Sequence, residues 1–290
     1  MPLAIRTLSH QDGDHRWEMA SRDPDPRLAA FMSGYQGYAE LAATPMRRME
    51  LPFAGLPMIV SLGPRIGVKL LDEAAGWTQH RSFIAGLHDR SALTEYTGAQ
   101  EGVQVNFTPI GACLILGRPL AELFNEVVAL EDLFGDTDSG RLVARLQEAP
   151  GWAARFQIMD GFLLDRLAAA PALPPELAWA WQALEQSGGQ CEVAGLAGEI
   201  GWSRKHLSVQ FRQRFGLPPK TVARILRFHR TAALLGEAAN DGRADIALAG
   251  GYYDQPHFNR DFRQFAGCTP GDYLARLLPD GGGVAATEPR

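Results

Sequence analysis

Residues 196–219 and 246–270 are two versions of one pattern, about 51 positions apart. Gly201 matches Gly251, Trp202 matches Tyr252, Ser203 matches Asp254 and His206 matches His257. Phe211, Arg212, Gln213, Gly216 and Pro219 match Phe262, Arg263, Gln264, Gly267 and Pro270. Such a period points to a duplicated supersecondary unit, and two copies are too few for a solenoid. They suit two modules placed side by side.

Each copy has the physical form of a helix-turn-helix. Leu196, Ala197 and Ile200 give a short apolar helix face, and Gly201 can supply the positive φ of a tight turn. Ser203 is placed to cap the next helix, which carries Leu207, Phe211 and Phe215 as one buried stripe. Gly216 stops that helix and Pro218–Pro219 open another. In the second copy Asp254 caps, Pro256 falls in the first turn, and Phe258, Phe262 and Phe265 face inward. Between the copies, roughly Pro218 to Leu235 reads as a connector helix packed through Val222, Ile225, Leu226 and Leu234. A single copy would suit any helical bundle with solvated outer faces. The duplication is what singles the pattern out.

With these pieces in place, residues 190–278 resemble the DNA-binding domain of the AraC/XylS family of bacterial transcription regulators. The resemblance rests on Gly201–Trp202–Ser203, Leu207…Phe211…Gly216, the connector, Gly251–Tyr252–Tyr253–Asp254–Gln255–Pro256–His257–Phe258, and Arg260-x-Phe262…Gly267-x-Thr269–Pro270…Tyr273. It implies double-stranded DNA as partner, with the second helix of each module in a major groove. The positions implied as base readers are Arg204, Lys205, Ser208 and Val209 in the first module, and Gln255, His257, Asn259 and Arg260 in the second. Arg212, Lys220 and Arg263 are better placed for phosphate. This chain departs from the family where Val209 replaces a frequent Arg and where Pro256 replaces a frequent polar residue.

Charge divides along the same line. Residues 190–278 hold 12 Lys and Arg against 8 Asp and Glu, whereas the whole chain has 28 against 33. A basic module on an acidic body suits phosphate contact by one part only. No run of about 18 apolar residues occurs, so no membrane span is expected. Met1 to Ala20 lacks an apolar signal core. Cys113, Cys191 and Cys268 are far apart, which fits a reducing cytoplasm rather than a disulfide framework or zinc site.

Ahead of the repeat, residues 1–30 read as a flexible segment. Short runs at Pro57–Leu62, Ile66–Leu71, Arg81–Leu87 and Val103–Pro109, broken by Gly and Pro, predict strands of about five residues in a sandwich or small barrel. Residues 119–185 change to helical spacing, with Leu120, Leu123, Phe124 and Val127 on one face. Gln186–Ser187–Gly188–Gly189 reads as an interdomain linker, and 279–290 as a disordered tail. Around Leu51–Pro52, Ile59–Leu62, Phe83–His88 and Gly102–Ala112 this half resembles the cupin-like half of one branch of the same family. The fold class expected is therefore α+β. A cupin-like β-barrel with appended helices spans 31–185, followed by an all-α domain of two helix-turn-helix modules.

The resemblance implies a transcriptional activator whose further partners are RNA polymerase, a second copy of the chain in a homodimer, and a small-molecule effector at the front half. Two other readings stand beside it. The front half is a dimerisation or partner-docking module without ligand, or the chain is an enzyme fused to a DNA module, as in alkyl-damage repair. The second needs a reactive Cys cluster that the sequence lacks. No catalytic residue, cofactor or metal is expected. His80, His88 and Glu95 lack the tight His-x-His of a metal-binding cupin, and the neighbours His88–Asp89–Arg90–Ser91 cannot form a triad. Gly63–Pro64–Arg65–Ile66–Gly67 reads as a hairpin turn, and Trp77, Trp152, Trp179 and Trp181 as packing residues.

Overall fold

Met32–Glu50 is one strand (β3) of 19 residues, paired antiparallel with the 16-residue strand Ala92–Phe107 (β8). The computed structural model describes residues 3–12, 15–71, 76–237, 243–277 and 284–286. Seven further strands complete its sheet: Ile5–Asp12 (β1), His15–Arg22 (β2), Leu56–Ser61 (β4), Ile66–Leu70 (β5), Thr78–His80 (β6), Phe83–Ala85 (β7) and Val127–Ala129 (β9). The order is β1-β2-β3-β8-β4-β7-β9, every pair antiparallel, with β5 on the other stretch of β8 and β6 on β5.

Several expectations need correction here. β1 and β9 end the strand order and do not pair with each other, so among the described residues the sheet does not close into a barrel. The physical reason lies in β8: β4 pairs with its residues 102–107 and β5 with its residues 92–95, so the sheet forks along one long strand. The central strands are also three times longer than expected. Pro45 does not end β3 because it falls in the register shift between Ala42 and Met46, where the ladder is already interrupted. The described part of residues 1–30 is not a loose start. β1 and β2 extend the sheet, and Leu28 is buried. Asp160 binds the Arg22 guanidinium, the Tyr35 hydroxyl (2.8 Å) and the Asp25 amide (3.2 Å), which pins the segment after β2. Val127 lies in β9 rather than on a helix face.

Helices follow the sheet: Pro109–Leu116 (α1), Leu130–Phe134 (α2), Asp136–Glu148 (α3), Trp152–Ala168 (α4) and Pro175–Gln186 (α5), with a 3-10 turn at Leu120–Leu123. The repeat supplies Val193–Glu199 (α6), Arg204–Phe215 (α7), Pro219–Glu237 (α8), Arg243–Ala249 (α9), Gln255–Ala266 (α10) and Pro270–Leu274 (α11). Gln186–Gly189 is a tight turn: Gly188 and Gly189 have φ of 58° and 75°, and Arg227 donates to the Gly189 carbonyl. Trp181 of α5 is fully buried against Phe215 (4.8 Å between ring centroids) and Phe211 (6.1 Å), so α5 packs on the first helix-turn-helix.

The two halves share one hydrophobic core. Ser91 Oγ donates to the Phe265 carbonyl at 2.9 Å, and the Cys113 thiol to the Arg214 carbonyl at 3.7 Å. Of the expected tail, residues 278–283 and 287–290 lie outside the described residues. Val284 and Ala285 bridge back to Leu277 and Arg48, and the Met49 amide donates to the Val284 carbonyl.

Candidate nucleic-acid interface and cavity

Both modules are built by the same local devices. Ser203 Oγ accepts from the His206 amide at 3.1 Å, and Asp254 Oδ1 from the His257 amide at 2.7 Å. Trp202 stacks edge-on to His206 (4.6 Å) as Tyr252 does to His257 (5.2 Å). The turn glycines Gly201 and Gly251 take φ of 70° and 89°, and Gly216 and Gly267 end the recognition helices at 86° and 69°. The copies differ by one residue. Tyr253 is inserted between turn and cap, 88% exposed, so the offset is 50 positions up to Tyr252 and 51 from Asp254 onward.

On α7, Arg204, Lys205, Val209 and Arg212 are exposed and Ser208 half-buried, opposite the buried Leu207, Phe211 and Phe215. On α10, Arg260 and Arg263 are exposed, while Gln255, His257 and Asn259 are half-buried. Lys220 is exposed at the start of α8. None of these Arg and Lys side chains forms an ion pair among the described residues, which leaves the cations available to phosphate or base. Asp261, the neighbour of Arg260, is buried and paired with Arg224 of α8 at 2.7 Å and 3.3 Å. His257 Nε2 also approaches it, at 3.9 Å, so this side chain leans inward rather than standing clear of the helix.

A second feature was not anticipated by residue. A cavity of about 520 Å³ lies between the inner face of the sheet and α8. The sheet contributes Tyr38, Glu40, Ile59, Val68, Phe83 and Tyr96; the DNA module contributes His229, Ala232, Ala233 and Tyr273. Burial at His229 lowers the imidazole pKa, disfavouring the charged ring. Glu40 and Arg48 form a buried bidentate pair (2.7 Å and 3.1 Å) at the wall. Strand alternation concealed this site: in β3 Glu40 is buried and Leu41 exposed, the reverse of an ordinary core face. A polar residue alternating inward along a strand was the available signal.

The residues weighed for a metal are engaged separately. His80 Nε2 meets Thr78 Oγ1 at 2.8 Å, Glu95 pairs with Arg47, and His88 Nδ1 meets the Gly86 carbonyl. None of Trp77, Trp152, Trp179 and Trp181 lines the cavity.

Residues 196–276 match a family described as a helix-turn-helix domain. Among solved structures, ToxT from Vibrio cholerae is similar at 13% identity, covering 84% of this chain and 98% of that one, with a TM-score of 0.46. A ToxT structure with a bound unsaturated fatty acid is similar at 12% identity, covering 87% and 97%, with a TM-score of 0.47. A transcriptional regulator of Chromobacterium violaceum, described by its AraC-type DNA-binding domain, is 28% identical over 37% of this chain and 96% of that one, with a TM-score of 0.33. No curated protein matches the chain.

Proposed function

We propose that this chain, a member of the AraC/XylS family through the helix-turn-helix domain at residues 196–276, is a sequence-specific transcription regulator controlled by a small molecule. The carrying observation for DNA recognition is the repeated module, with capped recognition helices whose cations are exposed and unpaired. α7 and α10 enter successive major grooves, about 34 Å apart, and the rigid α8 makes binding depend on DNA curvature. Arg204, Lys205, Ser208, Val209, Gln255, Asn259 and Arg260 read bases, and Arg212, Lys220 and Arg263 hold phosphates. His257 contributes less than its neighbours because Asp261 draws it inward.

The cavity supports effector control over a docking role without ligand, since a docking module would be filled by its own side chains. α8 forms part of the cavity wall and also separates the two recognition helices. An occupant therefore acts on the strut directly. Association of two copies and contact with RNA polymerase belong to the same reading.

The test is duplex selection from a random pool with the full chain, followed by titration of the selected duplex against salt. Binding that falls steeply with salt, and falls further on a scrambled duplex, is expected. A folded chain that selects no sequence would refute the proposal.

A further inference from the structure

We infer that the cavity takes an uncharged, mainly apolar molecule carrying hydroxyl, carbonyl or amide groups, and discriminates against anions. The inference rests on the cavity being the effector site. It comes from how the charges of the wall are already used.

Among the described residues, two cations line the cavity, Arg48 and Arg90. Arg48 is held by both oxygens of Glu40, and only 4% of the Glu40 side chain is exposed. Arg90 lies 3.4 Å from an oxygen of Asp89. A second carboxylate of the wall, Glu50, accepts from Thr94 Oγ1 at 3.1 Å. Among the described residues, the imidazoles at the wall are His88, bonded to a backbone carbonyl, and His229, whose charged form burial disfavours. An anion entering here would lose its hydration and face at least as many carboxylates as cations, a large unrepaid cost.

The neutral polar groups have the opposite character. Tyr38 Oη, and both Gln100 amide atoms, are buried without a hydrogen-bond partner among the described residues. Tyr96 Oη lies beside Glu40 and Arg48 without a well-aligned bond. Glu40 and Gln100 face one another across the β3–β8 pair, and Tyr38 faces Gly102 two residues along, so these groups form one patch of the wall. Buried polar atoms are nearly always bonded, and a cluster of exceptions calls for a partner. Their polar atoms are screened from the cavity surface, and in the proposed site a side-chain rotation is the step that presents them to a ligand. The surrounding wall, including Phe53, Ile59, Val68, Phe83 and Val127, is apolar and suits the rest of the molecule.

The experiment compares two probes with one apolar body, biphenyl-4-methanol and biphenyl-4-carboxylate, by calorimetric titration of the full chain at pH 7.5. The alcohol is expected to bind at least about tenfold more tightly, the carboxylate bearing the desolvation cost of a charge. Gln100→Leu should weaken alcohol binding about fivefold, the worth of one or two hydrogen bonds. Ala233→Trp, which fills the cavity from α8, should abolish binding of both; Val68→Phe serves if that variant is unfolded by circular dichroism. Carboxylate binding as tight as the alcohol's, lost on filling, would overturn the inference and leave the effector cavity standing. Saturable binding of neither probe, or binding that survives filling, would overturn both.

Discussion

Arg224 of the connector helix and Asp261 of the second recognition helix form a two-pronged ion pair, with the carboxylate almost fully buried. Asp261 occupies the position that Gln210 holds in the first module, so the clamp belongs to the second copy alone. It sets α10 against α8 together with the Phe228–Phe262 and Phe228–Phe265 contacts. Removing Arg224 strands a buried carboxylate. Arg224→Met is expected to cost about 3 kcal/mol in urea unfolding. Arg263→Ala, on the exposed face of the same helix, should stay within about 0.5 kcal/mol. Equal midpoints for the two variants would show that the pair does not hold the module.

Trp181 predicts where a stable DNA-binding fragment must begin. Its ring fills the space between Phe211 and Phe215 from α5, ahead of the turn at Gln186–Gly189. A fragment of residues 190–277 leaves those rings open, while one of residues 172–277 covers them. The longer fragment should be the more stable, and Trp181→Ala within it should cost about 3–5 kcal/mol. Thermal melts of the three proteins decide this; indistinguishable transitions would place α5 outside the module.

Arg260 and Val209 stand at matching positions of the two recognition helices, both exposed. An Arg can bond a guanine through two hydrogen bonds, worth about 1–3 kcal/mol of discrimination, whereas Val offers only methyl contact. Arg260→Ala should cost more specific affinity than Val209→Ala and relax preference at one guanine. Arg212→Ala should weaken all duplexes alike and lower the salt slope by about one. If Arg260→Ala weakens cognate and scrambled duplexes by the same factor, Arg260 is a phosphate contact.

His229 makes stability pH-dependent. Burial lowers its folded-state pKa below the ordinary 6.5. Below that value the unfolded chain gains a proton that the folded chain resists, so stability is lost as pH falls from 6.5 toward the folded pKa. The urea midpoint of the full chain should drop between pH 7.5 and pH 5.5, and His229→Gln should reduce that drop. An unchanged drop would assign the dependence to other groups.

The modules were legible because their signals are local. A cap such as Ser203, a turn glycine such as Gly201 and a stripe such as Leu207–Phe211–Phe215 each act within a few residues. The exposed faces of both helices followed from such stripes, whereas the base-reading positions were implied by the family resemblance. The sheet was legible only in its short apolar strands, such as β4 and β5. β3 was not read as a strand, because only pairing with β8 reveals the irregularity that accommodates Pro45 within it. β1 and β2 are polar on their outer faces and gain their place from long-range contacts such as Arg22–Asp160. The cavity was hard to read for the same reason: beyond the inward alternation at Glu40, it joins Tyr38 and Tyr96 to Ala232 and Ala233, which lie far apart in the sequence.

Because Ala232, Ala233 and His229 belong to the DNA-reading half yet face the cavity, the two halves are not interchangeable parts. A hybrid that joins this front half to another regulator's recognition module would inherit a different wall. On the proposed effector reading, its response would then change in ligand preference as well as in target site, and altering that preference can begin from residues that lie in the half expected only to read DNA.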